Sequence, residues 1–479
     1  MYLITLIGLI LRLVFINKPE GLWNDEYVSW MVASTPFGEG FWNEVLKQCH
    51  MPFYYLYLKP FAGCSDLVLR LTSAIPSVVA IPVMYLAGKE YSKKIGIFAA
   101  AITSVLSFLI YYSQEVRFYS ILFLFSALSL LFTIKILKNP SKINLTGYIV
   151  SNLLILFTHV LGVIYLAFNV GYIIYKKKIL TKKLLIISGI ATLFLIFFGM
   201  NILSQLPSSQ WWGHFSYTNI LFLFSDFLSP ILTNNINAPS VFFYNMKYAI
   251  WLTVPTLIGI TGMIFGIKNN KGFASICLGT IVVMSLLAYI DKIVFVTKYA
   301  IEILPIFILL ISLGFVRLKK AGIILFSLFI AFHLAALFMP NYVTKLPRAE
   351  GHKIVGDILN NRKAKNTIFT YYAPDRFYRY WNKSGNTYYI SKINRFEYKD
   401  NPSKILDEIK PNDTVSVVFL DSVSFFPENY LQRYGKFLPE MFVTFSHIRN
   451  SLTKTINGKY KDFVIDQHGS WTVITATKK

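Results

Sequence analysis

Two adjacent carboxylates, Asp25 and Glu26, follow the first apolar run of the chain in the stretch GLWNDEYVSW. A further acidic residue, Glu115, stands two residues before Arg117 in YYSQEVRFYS. A carboxylate can act as general base toward a hydroxyl, and cationic side chains can hold a phosphate and stabilise its charge as a bond to it breaks. Together these residue types favour transfer of a group from a lipid phosphate to a hydroxyl or amine.

Three more segments bring basic or hydroxyl groups to the same predicted side of the membrane. They are CHMPFYYLYLK with His50, RLTSAIP with Arg70, and TKYAIEILP with Lys298 and Tyr299. Ionisable groups at membrane depth are costly and usually mark a functional site. The sequence therefore predicts one polar site assembled from several separate chain segments.

Each of these residues also fits a purely structural role. Asp25 and Glu26 fit a solvated helix cap at the membrane edge, and His50 fits an interfacial residue. Lys298 and Glu302 are four residues apart on a predicted helix, a spacing that favours a structural ion pair. Further structural roles are an ion pair in a turn for Glu115 and Arg117, an interface anchor for Tyr299, a buried hydrogen-bonding role for His159, and an aromatic belt for QWWGH.

The elements that must position these groups are membrane-spanning helices. The chain is 54% hydrophobic, and its apolar residues form runs of roughly 17 to 22 residues, the length that crosses a bilayer core. The first run lacks a basic start and a small-residue exit, which predicts a retained helix whose Arg12 snorkels or faces protein. Eleven spans are predicted, at 1–17, 67–88, 95–112, 118–137, 145–159, 161–175, 184–201, 247–267, 273–290, 299–316 and 321–339. The two short spans between 145 and 175 equally fit one kinked helix with a re-entrant piece.

The basic residues that give the net charge of +23 cluster in short loops between apolar runs, which is typical of a topology signal. This placement does not indicate nucleic acid as a partner. The loop at 202–246 contains no lysine or arginine. By the positive-inside rule, the N-terminus is cytoplasmic, whereas the Asp25–Glu26 loop, the 202–246 loop and the C-terminal tail lie outside. The loops predicted to be cytoplasmic share a high lysine and arginine content; they are 89–94, 135–142, 176–183, 268–271 and 317–320.

Outside the spans, two regions have their own character. The loop at 18–66 is long and rich in aromatic residues, which favours amphipathic helices on the membrane surface. The tail at 341–479 alternates helical and extended patterns, which predicts a small extracytoplasmic α/β domain. The predicted helices are GHKIVGDILNN and NPSKILDEIK, and the predicted strands are NTIFTYYA, DTVSVVFLDS, EMFVTFSHI and SWTVITAT. That tail carries 22 Lys and Arg against 13 Asp and Glu. It fits contact with anionic head groups or an anionic substrate, and equally a merely soluble basic domain.

The three cysteines do not form a disulfide framework. Cys49 and Cys64 lie in one predicted extramembrane loop, where they either pair or remain thiols. Cys277 falls in an apolar run and is predicted to be core.

An ordered series of motifs resembles the GT-C membrane glycosyltransferases, specifically the protein O-mannosyltransferase and lipid A aminoarabinose transferase group. The series is NDEYVSW, HMPFYYLYLK, RLTSAIPSVVAIPVMYLAGKEYSKKIGIFAAAI, YYSQEVRFYS, FTHVLG and KYAIEILPIFILL. The resemblance covers residues 1–340, predicted as the transmembrane catalytic domain, and extends only loosely to the α/β domain at 341–479. It implies an inverting transferase that uses a polyprenyl-phosphate sugar outside the cytoplasmic membrane.

The resemblance also implies roles for individual residues. Asp25 falls on the family's first-loop aspartate, a base or metal-site carboxylate, and Glu26 on the second acid of that pair. Glu115 falls on a second acidic residue of the site. Asp25 and Glu115 are the oxygen ligands expected if Mg²⁺ or Mn²⁺ is bound, although some relatives need no metal. His50 falls on a position associated with the donor phosphate, and Arg70, Arg117 and Lys298 are further candidates to hold that phosphate. Tyr299 matches the tyrosine of an Arg/Lys-Tyr pair and is expected to bind substrate.

The chain departs from the family's pattern at three positions. Met51 replaces the usual first proline, which leaves the local turn less fixed. His50 is a weaker cation than lysine at neutral pH. Glu302 is unexpected beside a phosphate site.

The sequence thus predicts a multi-pass protein of the cytoplasmic (inner) membrane that transfers a monosaccharide from a polyprenyl-phosphate donor. The acceptor is an envelope lipid, a glycan or a protein, and membrane lipids surround the spans. The alternative is a transporter or flippase for a lipid-linked or anionic substrate, which would need polar residues near mid-membrane and often an inverted repeat. The chain shows no clear internal repeat, and its charged residues gather at one predicted face.

Overall fold

The chain folds into two compact units, one of residues 1–17 with 28–346 and one of residues 18–27 with 347–479. The computed structural model describes residues 1–16, 21–48, 51–177, 215–231, 246–268, 270–290, 293, 295–339, 352–370, 379–383, 385–389, 404–420, 449–468 and 471–479.

The long helices of the first unit lie where the apolar runs predict them, whereas the helix Thr218–Leu228 lies in the 202–246 segment, where no span was expected. The helix bounds are α1 Tyr2–Leu13, α2 Asn24–Ser34, α3 Glu39–Lys47, α4 Phe53–Leu58, α5 Asp66–Lys89, α6 Lys93–Val105, α7 Ser107–Ser113, α8 Tyr119–Lys138, α9 Lys142–Thr158, α10 Gly162–Lys177, α11 Thr218–Leu228, α12 Met246–Ile267, α13 Lys271–Tyr289, α14 Leu304–Arg317 and α15 Lys319–Ala336. Helix α2 carries the chain from one unit into the other. Two 3₁₀ segments, Lys59–Phe61 and Thr297–Ile303, directly follow α4 and precede α14.

Six helices among the described residues are long and apolar enough to cross a membrane, and a seventh counts if the bent pair α6–α7 is one span. The chain is therefore a multi-pass membrane protein, but the expected count of about eleven spans is not confirmed. Helix α1 has only 12 residues, and the expected span at 184–201 lies outside the described residues. The region from 145 to 175 contains two separate helices, α9 and α10, and not one kinked helix.

The loop at 18–66 contains α2, α3 and α4, in agreement with the helices expected there; their placement on the membrane surface stays a prediction. The C-terminal end of α2 is held by side chains from this loop. Trp30 Nε1 donates to the carbonyl of Ala62 at 2.8 Å. Lys59 Nζ donates to the carbonyls of Ala33 and Thr35, which satisfies groups that a helix end leaves without partners.

Helices α12 and α14 pack with their backbones in close contact at glycines. A Cβ atom added at Gly314 would overlap the carbonyl oxygen of Gly262, and one added at Gly266 would overlap that of Leu310. Small residues allow this approach, which is a common way for helices to associate in lipid.

We expect Gly314→Ala to lower the thermal stability of the purified protein, because overpacking of this kind costs about 1–3 kcal/mol. Gly171→Ala in α10 is the matched control, since a Cβ at Gly171 meets no heavy atom within 4 Å. Thermal unfolding in detergent measures both variants. An unchanged midpoint for Gly314→Ala would contradict the close packing.

The second unit contains a five-stranded sheet in the order β2-β1-β3-β5-β4. Strand β1 pairs in parallel with β2 and β3, whereas β5 pairs antiparallel with β3 and β4. The bounds are α16 His352–Arg362, β1 Asn366–Phe369, β2 Asn386–Tyr389, α17 Lys404–Asp407, β3 Thr414–Leu420, β4 Tyr460–His468 and β5 Trp471–Lys478.

This sheet confirms the predicted α/β tail. The helical and extended patterns around α16, β1, α17, β3 and β5 appear where they were expected, whereas the edge strands β2 and β4 were not predicted. The expected strand EMFVTFSHI lies outside the described residues. Apolar side chains fill the sheet's core, among them Ile368, Val417, Tyr460 and Ile474.

Candidate active site

The turn that carries Glu115 and Arg117 follows a broken helix. Helices α6 and α7 meet at 54°, and the break lies at Leu106, whose backbone is extended. Such a break leaves carbonyl groups at the end of α6 without the amides that would bond them in a continuous helix. In lipid, those carbonyls must find other donors.

Arg12 supplies the donors. Its Nη2 donates to Thr103 O at 2.9 Å, its Nη1 to Ser104 O at 3.0 Å, and its Nε to Ser77 Oγ at 2.7 Å. The side chain is fully buried. Arg12 therefore faces protein and does not snorkel.

Gln114 and His333 complete the support of this turn. Gln114 Nε2 donates to the carbonyls of Arg12 and Val14, at 3.0 and 2.7 Å, at the C-terminal end of α1. At the other end of α7, the amide of Ser107 donates to His333 Nδ1 at 3.4 Å. Neither Gln114 nor His333 was predicted as a supporting residue. His333 gave a signal as a polar residue within an apolar run, whereas Gln114 lies among the polar residues of the turn SQEVR.

Replacing Arg12 by Met is expected to destabilise the fold by about 3 kcal/mol, because it leaves the buried carbonyls at the α6 break without donors. Arg317→Met is the matched control, since Arg317 is exposed at the end of α14. Thermal unfolding of both purified variants provides the measurement. Equal midpoints for the two would show that Arg12 does not hold the break.

Arg117 and Glu115 are both buried, with 5% and 1% of their surfaces exposed. Arg117 Nη1 donates to Ser29 Oγ of α2 at 3.3 Å, and its guanidinium carbon lies 5.5 Å from the centre of the Phe118 ring. Ser73 Oγ donates to the carbonyl of Arg117 at 3.2 Å. The turn is thereby fixed to α2 and α5, and it brings a cation and an acid to one buried place.

A tyrosine of α4 adds to the surroundings of Arg117. The hydroxyl of Tyr54 lies 3.5 Å from Ser73 Oγ. Burial raises the pKa of Tyr54 far above its ordinary value, so this hydroxyl stays neutral at physiological pH.

The 3₁₀ segment Thr297–Ile303 carries the second cation. The Nζ of Lys298 lies 5.4 Å from the centre of the Tyr119 ring and 5.7 Å from that of Tyr299. Phe118 and Tyr119 are neighbours whose ring centres are 4.5 Å apart. Because Arg117 lies over the first ring and Lys298 over the second, the structure brings these two predicted phosphate residues to one aromatic pair.

Glu302 does not lie on the regular helix that the i, i+4 interpretation assumed. The segment is a 3₁₀ helix with a non-helical backbone at Ala300. The Oε1 atom of Glu302 lies 2.6 Å from His159 Nδ1, and both side chains are buried. His159 therefore has the buried hydrogen-bonding role that its surroundings favoured.

The remaining predicted residues have separate settings. Arg70 is fully buried, and its Nη1 donates to the carbonyl of Ile16 at 3.2 Å.

Glu26 Oε2 accepts from the amide of Trp23 at 3.2 Å at the start of α2, which is the geometry of a helix cap. Asp25 is half-buried and precedes Ser29 by one turn of α2. His50 lies outside the described residues, as does Cys49.

A metal site at Asp25 and Glu115 remains a prediction. Within the described residues, no group of three or more His, Cys, Asp or Glu side chains is arranged to hold a metal ion. Two carboxylates alone are fewer ligands than protein metal sites generally offer.

Comparison with solved structures identifies the architecture. The chain superposes on ArnT from Cupriavidus metallidurans in the apo state with a TM-score of 0.55 and 11% identity, covering 99% of this chain and 97% of that one. For the same protein bound to undecaprenyl phosphate, the TM-score is 0.54 at 10% identity, with coverage of 99% and 97%. Comparison with protein-family models and with curated protein sequences gave no match.

An archaeal oligosaccharyltransferase from Archaeoglobus fulgidus, solved as a complex with zinc and sulfate, is also similar. Its TM-score is 0.50 at 10% identity, and the match covers 97% of this chain and 71% of that one. The chain therefore has the GT-C fold of membrane glycosyltransferases, which confirms the predicted fold class.

Proposed function

We propose that the protein is an inverting glycosyltransferase that moves a monosaccharide from a polyprenyl-phosphate donor to an envelope lipid, glycan or protein. The observation that carries this proposal is the convergence of Arg117 and Lys298, from two distant segments, on the Phe118–Tyr119 pair. Two buried cations that lie over adjacent aromatic rings suit a bound phosphate. The similarity to ArnT, which was solved bound to undecaprenyl phosphate, supports such a lipid as the donor.

The proposed reaction is a single displacement at the anomeric carbon. The acceptor hydroxyl forms a bond to that carbon as the bond from the carbon to the phosphate oxygen breaks. The hydroxyl proton passes to the carboxylate of Asp25, and the electron pair of the breaking bond leaves with the polyprenyl phosphate. The single attack from the opposite face inverts the configuration at the anomeric carbon.

Each proposed residue has one task in this displacement. Arg117 and Lys298 hold the donor phosphate and stabilise the charge it gains on leaving, and Arg70, His50 and Tyr299 are proposed as further donor contacts.

Asp25 is the general base, and Glu26 and Glu115 are the other acids of the site. Support for Asp25 comes from α2, where it lies one turn before Ser29, the residue that accepts a hydrogen bond from Arg117.

The reaction is proposed to take place at the outer face of the cytoplasmic membrane, with the N-terminus inside. This orientation rests on the basic loops and the base-free segment at 202–246. The donor's lipid tail lies between spans.

Mass spectrometry of envelope glycolipids and glycoproteins, from cells with and without this chain, tests the proposal. We expect one class of molecules to lose the mass of a single sugar residue when the chain is absent, which also identifies the sugar and the acceptor. An unchanged glycan profile would contradict transferase activity. Accumulation of lipid-linked sugars on one leaflet in cells that lack the chain, together with no sugar transfer by the purified protein, would favour a flippase.

A further inference from the structure

His159 and Glu302 form a buried pair that the reaction described above does not use. His159 directly follows α9, and Gly162 begins α10, so the histidine occupies the turn between two helices. Glu302 lies in the 3₁₀ segment that also carries Lys298 and Tyr299. Their 2.6 Å contact joins parts of the chain separated by 143 residues.

The contact is a hydrogen bond between two buried side chains. When Glu302 is ionised, its carboxylate oxygen accepts and Nδ1 of His159 donates. The side chains are only 5% and 3% exposed, and a buried carboxylate is costly without such a donor. The pair therefore fixes the 3₁₀ segment to the turn between α9 and α10.

The imidazole ring of His159 also touches both aromatic residues that neighbour the two cations. It stacks on Phe118, with ring centres 5.2 Å apart, and it lies 5.6 Å from Tyr299 in a tilted arrangement. Phe118 is the ring under the Arg117 guanidinium, and Tyr299 is one of the two rings near Lys298 Nζ. A displacement of the His159 ring would therefore shift the aromatic side chains that lie beside both cationic groups.

We infer that His159 and Glu302 are positioning residues that hold Lys298 in place for the donor phosphate. The inference rests on the proposed function, because it assigns the pair to the same phosphate site. Glu302 anchors the segment through its hydrogen bond to Nδ1, and the imidazole ring supports the aromatic side chains beside the cations. This role explains the acidic residue next to a phosphate site, since Glu302 faces a histidine donor.

Substitutions can separate the hydrogen bond from the packing. Glu302→Gln keeps an acceptor oxygen, whereas Glu302→Leu removes it. His159→Asn keeps a donor close to the Nδ1 position, whereas His159→Phe keeps a ring against Phe118 and removes the donor. Undecaprenyl phosphate is the probe, and its dissociation constant is measured on monodisperse purified protein in nanodiscs.

We expect Glu302→Leu and His159→Phe to weaken binding of undecaprenyl phosphate by about 10-fold, the scale of one charge-assisted hydrogen bond. Glu302→Gln should stay within about 3-fold of the unmodified protein, because it preserves the acceptor. His159→Asn should fall between the two classes, because it keeps the donor but removes the ring that packs on Phe118. Equal losses for Glu302→Gln and Glu302→Leu would overturn the inference.

A double-mutant cycle with Lys298→Met provides the readout that a merely structural role would not change. If the pair acts through Lys298, adding Glu302→Leu to Lys298→Met should weaken binding by no more than about 2-fold. If the loss of affinity in the double variant instead equals the product of the losses in the two single variants, the pair and Lys298 act independently. That result overturns the inference. If Glu302→Leu is not monodisperse, His159→Phe takes its place in the cycle.

The outcomes distinguish this inference from the proposed function. If Lys298→Met abolishes binding while Glu302→Leu and His159→Phe leave it unchanged, the positioning role is wrong and the phosphate site stands. If the unmodified protein does not bind undecaprenyl phosphate, or Lys298→Met binds it normally, the phosphate site itself is wrong and the positioning role falls with it.

Discussion

Replacement of Asp25 by Asn is expected to lower the rate of sugar transfer by about 10²–10⁴-fold, the usual contribution of a general base. Asparagine keeps the size of the side chain but cannot accept the hydroxyl proton. The affinity for the polyprenyl-phosphate donor should change little, because Asp25 acts on the acceptor. Transfer activity and donor binding are measured separately on the same purified protein.

The control for this variant is Asp357→Asn, which makes the same chemical change at an exposed position of α16. It should transfer sugar at the normal rate. Full activity of Asp25→Asn would remove Asp25 from the role of base. A parallel loss of thermal stability would instead show that Asp25 serves the structure of α2 as a helix cap.

Replacement of Arg117 by Gln should weaken binding of undecaprenyl phosphate by about 10- to 100-fold, since hydrogen bonds to charged groups contribute about 1.5–3 kcal/mol. Arg117→Lys should recover only part of the affinity, because an ammonium cannot reproduce the planar set of guanidinium donors or their stacking on Phe118. The dissociation constant of undecaprenyl phosphate is the measurement.

Arg317→Gln is the control for Arg117, since it removes an arginine at the exposed end of α14. This control variant should bind the lipid normally. Normal binding by Arg117→Gln would contradict the assignment of Arg117 to the phosphate.

Much of the architecture could be predicted because hydrophobic patterning determines which segments enter the membrane. Helices such as α5, α8 and α15 begin and end within a few residues of their apolar runs. The basic tail was likewise recognisable as an α/β domain from alternating helical and extended patterns. Its edge strands β2 and β4 were not predicted, since they have one pairing partner each and weaker apolar patterns.

The break at Leu106 could not be predicted, because neither proline nor glycine marks it in the sequence. Its stability depends on Arg12 and on His333, which are distant in sequence and meet the break only in the folded chain. The same holds for Glu302. Local spacing favoured Lys298 as its partner, but the 3₁₀ backbone and the contact with His159 are properties of the tertiary structure.

For the candidate site, the sequence identified Arg117 and Lys298 individually, and their convergence on Phe118 and Tyr119 became visible only in the structure. Gln114 shows the opposite case. It lies within the motif YYSQEVRFYS, but its function is to support the turn from the end of α1. Nothing in a motif distinguishes a supporting residue from a reacting one.

The most direct test of the phosphate site is an experimental structure of the full chain with undecaprenyl phosphate. We predict that the phosphate oxygens lie within hydrogen-bond distance, about 3 Å, of Arg117 and Lys298. A phosphate bound elsewhere, with both cations outside its contact shell, would contradict the central claim.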